Sequence, residues 1–259
     1  MKAGHYDEVL AQGRRGTFRL ILMGGAAAAV LVIAVTALVI WTSPGPGTGA
    51  ADKVTSPAAS ADATVPGSEL LATPGLDVEM PDDLVWQDLQ GVMLPYSVSK
   101  GPADTLGGRA RGFAHDPAGA VLAAAHIIVR INPQVGPNVF EPTLREQVVG
   151  PNVPALRDTI IRAYATLRQQ AGVPYGDPVG YVPAILLGFR VDSYTDLEAE
   201  VRLITQGTDG RGGTTTTALR LYVQWSGDDW VLAFPADADP TTTNIAVDEN
   251  SLYTPFGGR

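Results

Sequence analysis

Residues 214–234 read TTTTALRLYVQWSGDDWVLAF. Leu219, Leu221, Val223 and Trp225 alternate with Arg220, Tyr222 and Gln224, the two-residue period of a strand with one face in a core. Ser226-Gly-Asp-Asp229 is turn chemistry, and Trp230 to Phe234 resumes the apolar run. This is a hairpin. Working backward, Gly207 to Gly213 is a glycine-rich loop. Before it, Leu197, Ala199, Val201 and Leu203 alternate with Glu198, Glu200 and Arg202. Ile185 to Ser193 is a further strand. The second half of the chain after Pro183 is therefore antiparallel sheet.

The first half has the helical period. Asp116 can accept hydrogen bonds as an N-cap, and Pro117 suits a first helical turn. Ala118 to Ile131 is apolar except for His126 and Arg130. A helix apolar on most sides belongs in the middle of a core. Val135-Gly-Pro-Asn-Val139 recurs as Val149-Gly-Pro-Asn-Val153. Each copy is read as a turn and cap before a helix-starting proline, Pro142 and Pro154. The second helix runs from about Pro154 to Ala171, closed by Gly172, with Leu156, Ile160, Ile161, Tyr164 and Leu167 as its apolar stripe. The section 82–112 is irregular, with a short helix expected at 83–89. Helices followed by antiparallel strands give an α+β domain whose sheet curls around the helix at 118–131.

Upstream lies a different kind of sequence. Residues 20–41 are 22 consecutive uncharged residues, 11 of them Leu, Ile or Val. As a helix they would be roughly 33 Å long, enough to cross a hydrocarbon core of about 30 Å. Lys2, Arg14, Arg15 and Arg19 precede this stretch, and the next basic residue is Lys53. The positive-inside rule then places residues 1–19 in the cytoplasm and the C-terminal domain outside the cell. A cleaved signal peptide is the competing reading, but its apolar region would be only about 7–15 residues long. Gly24, Gly25, Ala28 and Ala29 form a small-residue pattern that would allow a helix–helix interface. From Thr42 to Ser68, 22 of 27 residues are Ser, Thr, Pro, Gly or Ala, too little to bury. The expected organisation is a tail (1–19), a transmembrane helix (20–41), a flexible linker (42–81), of which Val65 to Met80 either continues the linker or begins to dock, an outer α+β domain (82–239) and a polar C-terminal tail (240–259) whose order the sequence leaves open.

Charge and composition restrict function. After the span, 14 basic residues face 25 acidic ones, a net charge of −11 that disfavours binding to nucleic-acid phosphate. The chain has no cysteine, so disulfides, thiolate metal sites and cysteine lipidation are excluded. Arg outnumbers Lys 15 to 3, and Ala, Gly and Pro are abundant, which suggests a high-GC genome. Candidate chemistry is sparse. His126 with an inward carboxylate would be a minimal acid–base dyad, and the plainer reading is a core histidine on a backbone carbonyl. His115 is read as a loop residue. Asp228, Asp229, Asp237 and Asp239 lack calcium-loop spacing. Gly107 to Gly112, with Arg109 and Arg111, could face an anion but has no phosphate-loop ending. Tyr222, Trp225 and Trp230 are a candidate patch for partners or for packing. No catalytic residue, metal or cofactor is expected.

The segments WQDLQGVMLPYSVSKGP (86–102), GFAHDPAGAVLAAAHI (112–127) and LRLYVQWSGDDWVLAFP (219–235) are similar to single-pass membrane proteins of actinobacterial conjugative elements. The outer domain resembles a nuclear-transport-factor-2-like, or cystatin-like, roll. The anchor, linker and roll together resemble the bitopic assembly component of type IV secretion systems. The resemblance implies a non-enzymatic scaffold that forms homo-oligomers and contacts other membrane components of a transfer apparatus. An alternative is an extracytoplasmic ligand- or lipid-binding accessory protein of a transport system.

Overall fold

The computed structural model describes residues 71, 74–182, 184–208, 213–234, 244–248 and 251–257. The expected tail 1–19, the span 20–41 with Gly24, Gly25, Ala28 and Ala29, most of the linker, Asp237 and Asp239 lie outside these residues. Among the described residues, no helix is long and apolar enough to cross a membrane.

The described chain is α+β. Strands β1 (Val85–Leu89) and β2 (Val92–Tyr96) form a separate hairpin. Three helices follow: α1 (Pro117–Arg130), α2 (Pro137–Glu146) and α3 (Val153–Ala171). A two-residue strand, β3 (Val148–Val149), lies between α2 and α3. Then come β4 (Ala184–Tyr194), β5 (Glu198–Thr208), β6 (Thr214–Trp225), β7 (Trp230–Ala233), β8 (Asn244–Ala246) and β9 (Thr254–Pro255). The large sheet is ordered β3-β7-β6-β5-β4-β9, with β8 also on β6. All its pairings are antiparallel except β3 with β7.

The central helix forms as its sequence requires. Asp116 accepts from the Gly119 amide at 2.8 Å, and Pro117 opens the first turn. Gly119 packs on the backbone of Ala114, where a Cβ would come within 2.0 Å of the carbonyl oxygen. Val121, Leu122, Ala124, Ala125 and Ile127 are fully buried. On the sheet, Leu203 lies between Phe189 and Leu219, and Val201 between Val191 and Leu221. These residues belong to the same core as α1. Helix α3 ends as expected: Gly172 adopts φ 68°, and the Val173 amide reaches Arg168 O at 3.1 Å, capping carbonyls the helix leaves unpaired.

Two expectations are corrected. The helix expected at 83–89 is strand β1. Gln90 (φ 50°) and Gly91 (φ 89°) form a two-residue turn with both residues left-handed, which closes a hairpin. The three-residue spacing of Trp86 and Leu89 imitated a helix. Pro142 does not start a helix; α2 begins at Pro137 of the repeated motif itself, and Pro142 lies inside it. A proline there cannot bond the carbonyl four residues back, that of Asn138. Gly108 packs against this same carbonyl, where a Cβ would stand 2.3 Å from the oxygen.

The two ends of the domain, whose order the sequence leaves open, are packed where they are described. β8 pairs with Thr217–Leu219, on the edge of β6 that β7 occupies at Tyr222–Trp225. β9 pairs with Gly188 and Phe189. Phe256 is buried, edge-on to Trp86 at 5.8 Å and 5.2 Å from Phe189. On the N-terminal side, Leu71 is buried with Ile204, Ala218 and Ile245, and the Leu76 amide donates to Val191 O at 2.8 Å. The Leu252 amide donates to Leu71 O at 2.9 Å, so the two terminal segments meet. Together they cover part of the sheet face turned away from α1, and among the described residues Leu71 and Phe256 are both part of the packed body.

Phe256→Ala leaves a cavity between Trp86 and Phe189. It should cost about 3 kcal/mol of unfolding free energy, measured by urea denaturation. A freely moving tail would show no loss.

Candidate functional site

Two places gather the polar and aromatic residues that the sequence singled out. The first is inside. His126 and Arg130 stand one turn apart on α1. Arg130 Nη1 donates to His126 Nδ1 at 2.8 Å, and His126 Nε2 lies 2.7 Å from Pro95 O. A guanidinium only donates, so Nδ1 must accept and Nε2 must carry the proton. Arg130 Nη2 donates to Tyr96 Oη at 3.2 Å, and the Tyr96 ring meets the imidazole edge-on at 4.7 Å. Burial, with the Arg130 charge second, holds the His126 pKa down at about 3. Both ring nitrogens are engaged, and neither partner is a carboxylate. This is the plainer of the two sequence readings, a core histidine on a backbone carbonyl. Burial likewise lowers the Arg130 pKa.

The second place is at the surface, where the loop before α1 meets the β6–β7 turn. Asp229 accepts from the amides of Gly112 (2.8 Å), Phe113 (3.2 Å) and Trp230 (2.9 Å). Burial raises its pKa while these amides oppose the rise. Its role is therefore a staple between two loops. The Trp230 indole N–H donates to Ala114 O at 2.9 Å and closes the same junction from within. His115 is thereby set flat on Trp225, ring centres 3.8 Å apart and planes 8° from parallel. Its Nε2 lies 2.5 Å from Asp196 O. Leu197 pairs across the strands with Trp225, whose amide donates to Leu197 O at 2.8 Å. Leu197 is 70 % exposed. Asp196 and Glu198 flank it in the chain and are exposed, as is Asp228 in the β6–β7 turn.

The expected patch of Tyr222, Trp225 and Trp230 is divided. Trp230 is fully buried, and Trp225 is half-buried beside it at 5.4 Å. Tyr222 is on the other face of β6, where the Arg220 guanidinium stands 5.0 Å from its ring centre. Even and odd strand positions point to opposite faces, so one patch could not include all three. Sequence reading missed His115 and Leu197 as surface partners of Trp225. Pairing 197 with 225 across the β5–β6 register was the available signal for Leu197. The stack of His115 depends on a contact far apart in sequence and left no signal.

The other candidates resolve into structural roles. Arg109 pairs with Glu146, and Arg111 with Asp104 at 3.0 Å, so the arginines of 107–112 are held by this chain's own carboxylates. Asp228 accepts from Ser226 Oγ at 2.9 Å.

Residues 46–253 match the family described as "Domain of unknown function (DUF8175)". No curated protein and no solved structure matches the chain.

The depressed His126 pKa makes stability depend on pH. A group whose folded pKa lies below its unfolded value of 6.5 stabilises fully above pH 6.5 and loses that contribution as pH falls toward 3. Within this window the loss should approach about 1.4 kcal/mol per pH unit from this residue alone. His126→Gln retains a donor and an acceptor but does not titrate. Urea unfolding from pH 7 to pH 4 should show a shallower fall for the variant than for the unsubstituted chain. Equal slopes would assign the acid sensitivity to other groups.

Proposed function

The chain belongs to the DUF8175 family, whose description assigns no activity, and we propose that it is a non-enzymatic, membrane-anchored assembly protein. In this reading residues 20–41 hold it in the cell membrane. The outer α+β domain then works through its surface, as a self-associating scaffold of a conjugative, type IV secretion-like transfer apparatus in an actinobacterium. The finer assignment of the domain as a nuclear-transport-factor-2-like roll is part of the same proposal.

The observation that carries the reading is the exposed Leu197 beside Trp225 and His115. A large exposed aliphatic residue bonded through its backbone to Trp225 of the aromatic stack, and flanked in the chain by Asp196 and Glu198, suits a partner with an apolar anchor and basic flanks. The stack is rigid because Asp229 and Trp230 fix both loops, so little order would be lost on binding. The interior offers less to a catalytic reading, since His126 has no free nitrogen. The lipid-carrier alternative is also less favoured: α1 meets the sheet through Leu122, Ile127, Val201, Leu203 and Trp230, all buried.

A photo-crosslinking residue at position 197 of the full chain, in native membranes, tests the proposal. Adducts with a second copy or another membrane component are expected, and Trp225→Ala should reduce them at least several-fold. A monomer without adducts at 197 would refute the reading.

A further inference from the structure

The face of the sheet turned away from α1 has two parts. One is a row of charges: Arg190 and Arg202 each bond Asp192 through Nε at 2.5 Å, and Arg220 holds Glu200 at 2.6 Å. The other is apolar, at Ile204 and Ala218, and an arm near the C-terminus covers it. Within residues 244–256, Ile245 closes on Ile204, Ala218 and Leu71, and β8 pairs with Thr217–Leu219. Further on, β9 pairs with Gly188 and Phe189, and Phe256 packs on Trp86 and Phe189. The arm is thus fixed at both sides of the β6–β5–β4 block. Of its described residues, only Ile245 and Phe256 are buried.

The connection to this arm is far longer than its gap. β7 and β8 lie along the same edge of β6 and run in the same direction. β7 ends with Ala233 opposite Tyr222, and β8 begins with Asn244 opposite Leu219. Two residues, facing Leu221 and Arg220, would join them into one strand. The chain has ten, residues 234–243. The gap along β6 is about 10 Å, and an extended connection of this length reaches about 36 Å. From Pro235 to Thr243 it reads PADADPTTT, without one large apolar residue to hold it against its own body.

That reach exceeds what closure within one chain requires, and it allows the arm to reach the same position on a neighbouring copy. We propose that residues 244–256 are exchanged between copies of this chain: the arm of one covers Leu71, Ile204 and Ala218 of a second and fills its Trp86–Phe189 site. Every pairing and apolar contact is the same within a chain and between chains, so exchange sacrifices none of them. The balance is then set by the local concentration of a second copy, which a shared membrane raises. The proposal rests on the self-association reading and names a contact for it, separate from the Leu197–Trp225 surface.

The chain has no cysteine, so introduced thiols report without interference. Thr217 and Ala246 are opposed across β6 and β8, and the next pair carries the bond from the Val247 amide to Thr216 O. Positions 217 and 246 therefore form a close, non-hydrogen-bonded pair suited to a disulfide. Two full-length chains with different tags, one Thr217→Cys and the other Ala246→Cys, are co-expressed and oxidised in native membranes. Exchange should give a mixed disulfide at least tenfold above that of a control pair, Gln224→Cys with Ala246→Cys. Equal yields would report collision alone and overturn the proposal. So would a chain carrying both Thr217→Cys and Ala246→Cys that closes only on itself as a bridged monomer. Adducts at position 197 read self-association separately: if they persist with a self-closed arm, only the exchange is lost, and if they vanish as well, both readings are lost. Should these substitutions disturb the fold, the adjacent opposed pair Thr216→Cys and Val247→Cys decides in the same way.

Discussion

A helix apolar on nearly every side cannot lie on a surface, and α1 imposes that requirement on the rest of the domain. With residues such as Leu122, Ala124 and Ile127 fully buried, α1 must be enclosed. The long strands β4, β5 and β6 supply one wall. The β1–β2 hairpin, α2 and the β6–β7 turn supply the others. Two polar side chains are carried inside by the same helix, and each is matched to what surrounds it. Arg130 gives its protons to His126 and Tyr96, and His126 gives its own to Pro95 O. The result is a satisfied polar thread through an apolar interior rather than a reactive centre, since each member is committed to its neighbour.

The sheet is two-sided in an unequal way. Towards α1 it contributes the main core. On its other face it combines a small apolar cluster, Leu71, Ile204, Ala218 and Ile245, with the arginine–carboxylate row. The cluster is assembled from residues far apart in the chain, so neither terminal segment alone would hold it. Covering the outer face in this way removes part of the open edge and exposed surface that a long antiparallel sheet otherwise presents.

Much of the fold could be read from local pattern. The Asp116–Pro117 start of α1, the Gly172 end of α3 and the alternation in β5 and β6 are all dictated by residues within a few positions, and they appear as expected. The misreadings have a common cause. Trp86 and Leu89 have helical spacing, but their strand state is decided by the turn at Gln90 and Gly91. Pro142 looks like a helix start, yet α2 had already begun at Pro137. Phe256 sits in a polar, glycine-containing tail, and only the pairing of β9 with Gly188 and Phe189 brings it into the core. The surface site was half legible. Trp225 stood out as an aromatic residue, whereas His115 reaches it through the Asp229 staple, a link of over a hundred residues.

The meeting of Leu71 O with the Leu252 amide has a mechanical consequence. Any pull on the polypeptide ahead of Leu71 is transmitted first to the small back-face cluster and to the Leu76–Val191 bond, not to α1. Because Ile245 sits in that cluster and residue 252 is bonded to Leu71, the same load reaches the opposite terminus. Peeling would therefore bare the rear of the sheet and its arginines while the main core stayed closed, so this domain would yield to traction in stages.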